Sequence, residues 1–176
     1  MLYKSYYISQ ELGKITLASD GINLIGVWLE GQKYFADSVK AEMQENNDLQ
    51  IFKQTKNWLD RYFNKEMPNI SELTLAPIGN QFRQDVWDIL CKIPYGEVTT
   101  YGEIAQQIAQ LHNKKTMSAQ AVGGAVGHNP ISIIIPCHRV IGKSGSLTGY
   151  AGGIDIKIKL LEIEGVDMSK MFIPKH

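Results

Sequence analysis

Apolar and polar residues alternate in strand fashion over Tyr3 to Ile8, over Lys14 to Ala18 after Gly13, and over Ile22 to Leu29 after the Asp20-Gly21 turn signal. This pattern predicts an antiparallel meander. From Asp48 the period changes: Leu49, Phe52, Leu59, Tyr62 and Phe63 recur near a helical spacing, and Met67-Pro68-Asn69 stops the run. Ala76-Pro77-Ile78-Gly79 is the candidate linker, which divides the chain into a small α/β domain, residues 1–78, and a second domain, residues 79–176.

Beyond the linker Phe82, Val86, Ile89 and Leu90 mark one face of a helix that ends before Pro94-Tyr95-Gly96. Thr100-Tyr101-Gly102-Glu103 has the form of a capping box, continued by Ile104, Ala105, Ile108 and Leu111. Ser118 then caps a third helix with Ala121, Val122 and Ala125 expected inward. Two short helices joined in this way predict a helix-turn-helix. The opposite stripe of the third helix reads Gln120, Gly123, Gly124 and Gly127. Each interior glycine costs about 1 kcal/mol of helix stability against alanine. Such a bare stripe either admits a bulky partner close to the backbone or packs on the protein's own N-terminal half.

With 18 basic and 18 acidic residues and 44% hydrophobic positions, the chain falls in the range of soluble globular proteins and outside that of disordered ones. No apolar stretch approaches a membrane span, and the start lacks the apolar core of a signal peptide, so a cytoplasmic protein without membrane association is expected. Zero net charge argues against nucleic acid, since phosphate neutralisation needs excess Lys and Arg. The balance is uneven, however: residues 1–79 hold 8 basic and 10 acidic side chains, residues 80–176 hold 10 and 8. His112, Lys114 and Lys115 cluster in the loop between the helix-turn-helix pair. The two cysteines, Cys91 and Cys137, form neither a CxxC pair nor a zinc-site spacing, so reduced thiols and no metal are expected. Cys91 continues an apolar helix face and reads as packing.

Asn129-Pro130 turns the chain, Ile131 to Ile135 reads as a buried extended run, and Pro136 then presents Cys137-His138-Arg139. A thiolate is the cysteine nucleophile, the free thiol has a pKa of about 8.5, and a neighbouring histidine can take its proton. On extended backbone adjacent side chains point apart, which favours a water bridge between them. Taken alone, such a pair is more often structural than catalytic. Glu164 follows Leu160 and Leu161 by four and three residues, on the apolar side of its helix, where a carboxylate needs a partner.

Ile135-Pro136-Cys137-His138-Arg139-Val140 resembles the active-site signature of the O6-alkylguanine-DNA alkyltransferases, the methylated-DNA-protein-cysteine methyltransferases. Family-like segments continue through Gly96-Glu97-Val98-Thr99-Thr100-Tyr101, Ala121-Val122-Gly123-Gly124-Ala125, Asn129-Pro130, Gly149-Tyr150-Ala151-Gly152-Gly153 and Leu160-Leu161-Glu162-Ile163-Glu164-Gly165. The resemblance, closest to the bacterial single-function form, implies an α+β protein: a ribonuclease H-like N-terminal domain and a mainly helical, winged-helix-like C-terminal domain. It implies irreversible transfer of a methyl or larger alkyl group from guanine O6 in DNA, with O4-methylthymine as a further substrate in view, to Cys137. No cofactor is called for, and monomeric action on double-stranded DNA is expected.

By the same resemblance, His138 is the water-mediated base and Glu164 holds its imidazole. Tyr101 serves the departing guanine oxygen. The backbone N–H of Ala151 donates to that oxygen, the carbonyls of Cys137 and Val140 accept the exocyclic amine, and Tyr150 walls the pocket. Gly149, Gly152 and Gly153 let the loop wrap the base, and Asn129 braces the cysteine's surroundings. Gln120, Gly123, Gly124 and Gly127 would lie in the minor groove, with Lys114 and Lys115 on phosphates. Gln120 stands where the family usually has an arginine that fills the vacated base position, and Arg139 and Lys157 take structural or secondary roles. Competing readings are a DNA-damage sensor without chemistry, which Cys137 argues against, a cysteine hydrolase, and a structural interaction module.

Overall fold

The computed structural model describes residues 1–174, which form two compact units: Met1–Gly79 together with Pro130–Ile134, and Asn80–Asn129 together with the chain from Ile135 onward. Among the described residues no helix is long and apolar enough to cross a membrane.

The first unit is a four-stranded sheet with one long helix. Strands β1 (Leu2–Ser9), β2 (Gly13–Ser19) and β3 (Leu24–Leu29) pair antiparallel as the alternation predicts. Every residue of β3 is buried, so its Leu-Ile-Gly-Val-Trp-Leu run does not alternate. Gly26 is obligatory there, because a Cβ would lie 2.2 Å from the Trp28 ring. Ile22 and Asn23 are outside the strand; their N–H groups donate to the Asp20 carboxylate, which closes the turn early. A fourth strand that alternation does not reveal, β4 (Met43–Glu45), pairs parallel to β1 and gives the order β3-β2-β1-β4. Helix α1 (Gln50–Phe63) buries Phe52, Trp58, Leu59 and Tyr62.

The apolar run after Asn129 corrects the sequence reading: it is buried but not extended. Ile131 makes a single bridge to Val27, residues 132–134 turn, and Ile133 has φ 71°, a left-handed conformation that a β-branched residue rarely adopts. Backbone bonds from Val27 N to Pro130 O (2.9 Å) and from Ser132 N to Val27 O (3.0 Å) fix the run at both ends.

The second unit starts with α2 (Gln81–Leu90), capped by Asn80. Strand β5 (Thr99–Thr100) leads into α3 (Tyr101–Leu111), whose N-terminus carries the expected capping box between Thr100 and Glu103. Helix α4 (Ala119–Gly127) is capped by Ser118, and strand β6 (Val140–Ile141) pairs parallel with β5. Helix α5 (Ile154–Ile163) follows. Helices α3 and α4 form the helix-turn-helix around a core of Val86, Trp87, Leu90, Ile104, Ile108 and Val122. Trp87 Nε1 donates to the Ala125 carbonyl at 2.9 Å, tying α2 to α4. The inward residues of α4 are Val122, Ala125 and Val126, whereas Ala121, expected inward, is exposed. The true stripe starts one residue after the cap-based count, and an alanine contributes too little area to enforce the other phase.

Candidate active site

Cys137 sits in a short 3-10 turn, Cys137–Arg139, not on extended backbone as expected. Successive side chains in such a turn project about 120° apart, since three residues complete one turn. This gives Cys137, His138 and Arg139 three separate directions. The turn is held from below: Cys137 N donates to Ile135 O at 2.8 Å, and Asn129 Nδ2 donates to the same carbonyl at 2.8 Å. All three side chains are buried.

Glu164, the C-cap residue of α5, gathers the cluster. Its Oε2 lies 2.5 Å from His138 Nε2 and accepts from Arg139 Nη2 at 3.2 Å, and its Oε1 accepts from Arg139 Nε at 2.7 Å and from Gly96 N at 3.2 Å. Arg139 Nη1 also donates to Ile93 O at 2.6 Å. Burial alone would raise the Glu164 carboxyl, but hydrogen bonds and charge from His138 and Arg139 outweigh it and hold it well below the usual carboxylate range. An ionised Glu164 accepts from Nε2–H, which fixes the neutral imidazole tautomer with its lone pair on Nδ1. Burial lowers the His138 pKa against the opposing pull of Glu164, so the ring is neutral at neutral pH. Nδ1 is buried and has no hydrogen-bond partner among the described residues. A neutral base with a free lone pair therefore follows, in the same turn, a thiol whose pKa is pushed up by burial and eased down by the Asn129 side chain and the Lys157 charge.

Lys157 is fully buried, and its Nζ donates to Val140 O at 2.5 Å and to Thr148 O at 2.8 Å. Burial pushes its pKa down to about 8, and the charge of Cys137 opposes that fall. The Val140 carbonyl, read from sequence as an acceptor for substrate, thus already takes one hydrogen bond from Lys157. Tyr101 OH donates to Thr148 O at 3.1 Å, and burial, then the charge of Cys137, raises its pKa to about 12. Gly149, at φ 73°, is required beside it: a Cβ there would lie 2.9 Å from the Tyr101 hydroxyl. Tyr150 is buried, Ala151 and Gly152 are half-buried, and Gly153, at φ 96°, opens α5.

Tyr101, Gln120, Gly123, Lys143, Thr148 and Gly149 help line a cleft of about 700 Å³. Gln120 is exposed, and a Cβ at Gly124 or Gly127 would meet nothing within 4 Å. Those two glycines leave room for something other than this chain's own packing, and Gly123 touches only the Tyr101 ring, at 3.9 Å. Lys114 and Lys115 line a second groove of about 470 Å³ beside α3. His112, grouped with them from sequence, instead has Nε2 3.0 Å from the Asp85 carboxylate on α2, which removes it from the cationic face. Cys91 is half-buried, and burial pushes its thiol up to about 11, away from nucleophilic character. Among the described residues no group of three His, Cys, Asp or Glu could hold a metal ion.

The structure brings Tyr101, Asn129, Cys137, His138 and Glu164 into one network with Arg139 and Lys157, which the resemblance gives structural or secondary roles, and adds Thr148, which the sequence does not single out. Lys157 carried a usable signal: it precedes Leu160 and Leu161 by three and four residues, the argument that singled out Glu164.

Residues 2–77 match the family described as 6-O-methylguanine DNA methyltransferase, ribonuclease-like domain, and residues 81–166 match its DNA binding domain. A methylated-DNA--protein-cysteine methyltransferase of Haemophilus influenzae is 41% identical over 165 residues, spanning 94% of this chain and 87% of the relative. One from Methanosarcina acetivorans is 44% identical, spanning 88% and 93%. The crystal structure of Mycobacterium tuberculosis O6-methylguanine methyltransferase superposes with a TM-score of 0.78 at 39% identity, covering 99% of this chain and 97% of that one. A crystal structure of the Mycobacterium tuberculosis protein in complex with DNA has the same TM-score and identity, covering 97% and 94%.

Proposed function

The chain belongs to the 6-O-methylguanine DNA methyltransferase family, and from that premise we propose that Cys137 is the residue on which its alkyl group ends. The protein repairs DNA by direct reversal, moving a methyl or other alkyl group from guanine O6 to its own cysteine. The observation that carries the residue assignment is the buried His138 whose Nε2 is committed to Glu164 and whose Nδ1 is unpartnered, in the same turn as the buried thiol of Cys137.

The thiol proton passes to Nδ1 through a bridging water. The sulfur then attacks the sp3 carbon, the S–C bond forms as the C–O6 bond breaks, and the electron pair leaves on the guanine. Tyr101, kept protonated by its raised pKa, turns its hydroxyl from the Thr148 carbonyl to donate to the guanine as charge develops, and the Ala151 N–H donates to O6. The proton taken by His138 returns through solvent to the guanine, so the atoms balance without a cofactor. A thioether offers no acidic leaving group, so one chain accepts one alkyl group.

The lesion reaches Cys137 only if the nucleotide leaves the duplex stack, which costs a few kcal/mol. Helix α4, with Gln120, Gly123, Gly124 and Gly127, is the element we assign to the minor groove, since small residues admit close backbone approach. Lys114 and Lys115 serve as phosphate contacts, and Asn129, Val140, Tyr150 and Gly152 shape the pocket. Residues 1–78 and 79–176 are the two domains of this reading, supported by the family matches that part between residues 77 and 81. A site completed within one chain supports action as a monomer, and a thiol that must stay reduced supports the cytoplasm.

Substitution of each cysteine tests the assignment. Cys137→Ser is expected to bind lesion-bearing duplex but take up no labelled methyl, and Cys91→Ser to take up one equivalent as the parent does. Uptake by Cys137→Ser would refute the assignment.

A further inference from the structure

We propose that Lys143, in the lining of the cleft beside Tyr101, meets the phosphate backbone of the lesion-bearing strand and adds affinity for the nucleotide that enters there. The inference rests on the proposed alkyl transfer, in which an extruded guanine nucleotide would reach Tyr101 through this cleft. Tyr101 and the start of α4, with Gln120 and Gly123, line the cleft together with Lys143, Ser144, Thr148 and Gly149. Among the lining residues Lys143 is the sole charged side chain. Its ammonium makes no hydrogen bond or ion pair among the described residues, although buried lysine and arginine in the same unit are fully engaged.

The turn that carries Lys143 is built rather than loose. Gly142 N donates to Ser146 O at 2.7 Å, Leu147 N to Phe172 O at 2.8 Å, and Phe172 N to Gly145 O at 3.1 Å, which fastens the turn to the C-terminal segment. The packing there is close enough that a Cβ at Gly145 would lie 2.3 Å from Lys170 O. Lys143 therefore holds its place at the cleft with little backbone freedom, and a rigid mount reduces the ordering cost of a phosphate contact.

Chemistry selects the occupant. A base that approaches Tyr101 and the Thr148–Gly149 backbone must bring its sugar and flanking phosphates past the rim, and those phosphates are anionic. From α4 the lining offers them only a neutral glutamine and a glycine face, so the cation of the cleft is Lys143. Lys114 and Lys115 cannot serve there: they line the second groove, which shares only Gly102 and Ala119 with the first. Lys143, in the same lining as Tyr101 and Gly149, falls to the strand whose nucleotide enters the cleft.

The test combines protein and DNA chemistry. The parent and Lys143→Ala are titrated with duplex carrying O6-methylguanine, either with natural linkages or with uncharged methylphosphonates at the linkages flanking the lesion. Lys143→Ala is expected to weaken binding to the natural duplex about five- to tenfold at 0.1 M salt and to make the log–log salt slope shallower by about one. The methylphosphonates on the lesion strand should weaken the parent similarly and the variant no further. An unchanged salt slope in Lys143→Ala, or losses that multiply when substitution and methylphosphonate are combined, would overturn the proposal. Methyl uptake by the parent is read separately; its absence would count against the alkyl-transfer reading, while Lys143 is judged on binding alone.

Discussion

Glu164→Gln is expected to slow alkyl transfer by about 10²- to 10³-fold, within the range that positioned acid–base groups contribute. The carboxylate accepts from His138 Nε2, and that acceptance keeps the lone pair on Nδ1. A glutamine offers an N–H as readily as a carbonyl, so the imidazole can take the other tautomer and present a proton where a base is needed. The same substitution leaves Arg139 buried without its counter-charge, and breaking a buried pair in this way costs about 3–5 kcal/mol. A stopped-flow transfer assay well below the melting range, together with denaturant unfolding, separates the two losses. Glu164→Gln with the parent's rate would sink the assigned role.

The pH dependence follows from the same groups. His138 has a folded pKa below its unfolded value of about 6.5, so as pH falls below that value the unfolded chain takes up a proton that the native ring refuses, and stability is lost. Glu164, also lowered, adds a second loss as pH falls from about 4.3, its unfolded value, through its folded pKa. The transfer rate is expected to fall in acid too, since in the proposed role a protonated His138 cannot accept the thiol proton.

Lys157→Met is expected to change the alkaline limb instead. The buried ammonium titrates near 8 in the folded chain and near 10.5 when free, so parent stability rises with pH between these values as the unfolded chain holds the extra proton. The rise assigned to this one group is roughly 3 kcal/mol, at about 1.4 kcal/mol for each pKa unit, and it should vanish from the variant. Met removes the cation that eases Cys137 toward thiolate, so transfer at neutral pH should slow about tenfold for each unit by which the thiol pKa climbs. Parallel stability curves for parent and variant from pH 7 to 10.5 would contradict the placement of a charged Lys157 at this site.

Much of the second unit was legible because its signals are local. Capping at Thr100 and Ser118 needs only residues within one turn, and the glycine face of α4 is a matter of spacing. Strand β4 was not legible: Met-Gln-Glu carries no apolar alternation, and it pairs because the edge of β1 offers it backbone partners. The Ile131 to Ile135 run misled, since a short apolar run looks alike whether it is a strand or a buried turn, and nothing local announces the left-handed Ile133. The weight of Arg139 and Lys157 in the site is hidden from the sequence for a different reason. Their importance depends on acceptors distant in sequence, Ile93 and Glu164 for one, Val140 and Thr148 for the other, and only the folded chain brings these acceptors within reach.

The most direct measurement is the mass of the intact chain after incubation with an excess of duplex carrying O6-methylguanine, followed by peptide mapping. A gain of one methyl group, located on Cys137, is expected, with one lesion repaired per chain and no further repair however long the incubation. Binding without a change in mass, repair of many lesions by one chain, or a methyl group on Cys91 would each contradict alkyl transfer to Cys137.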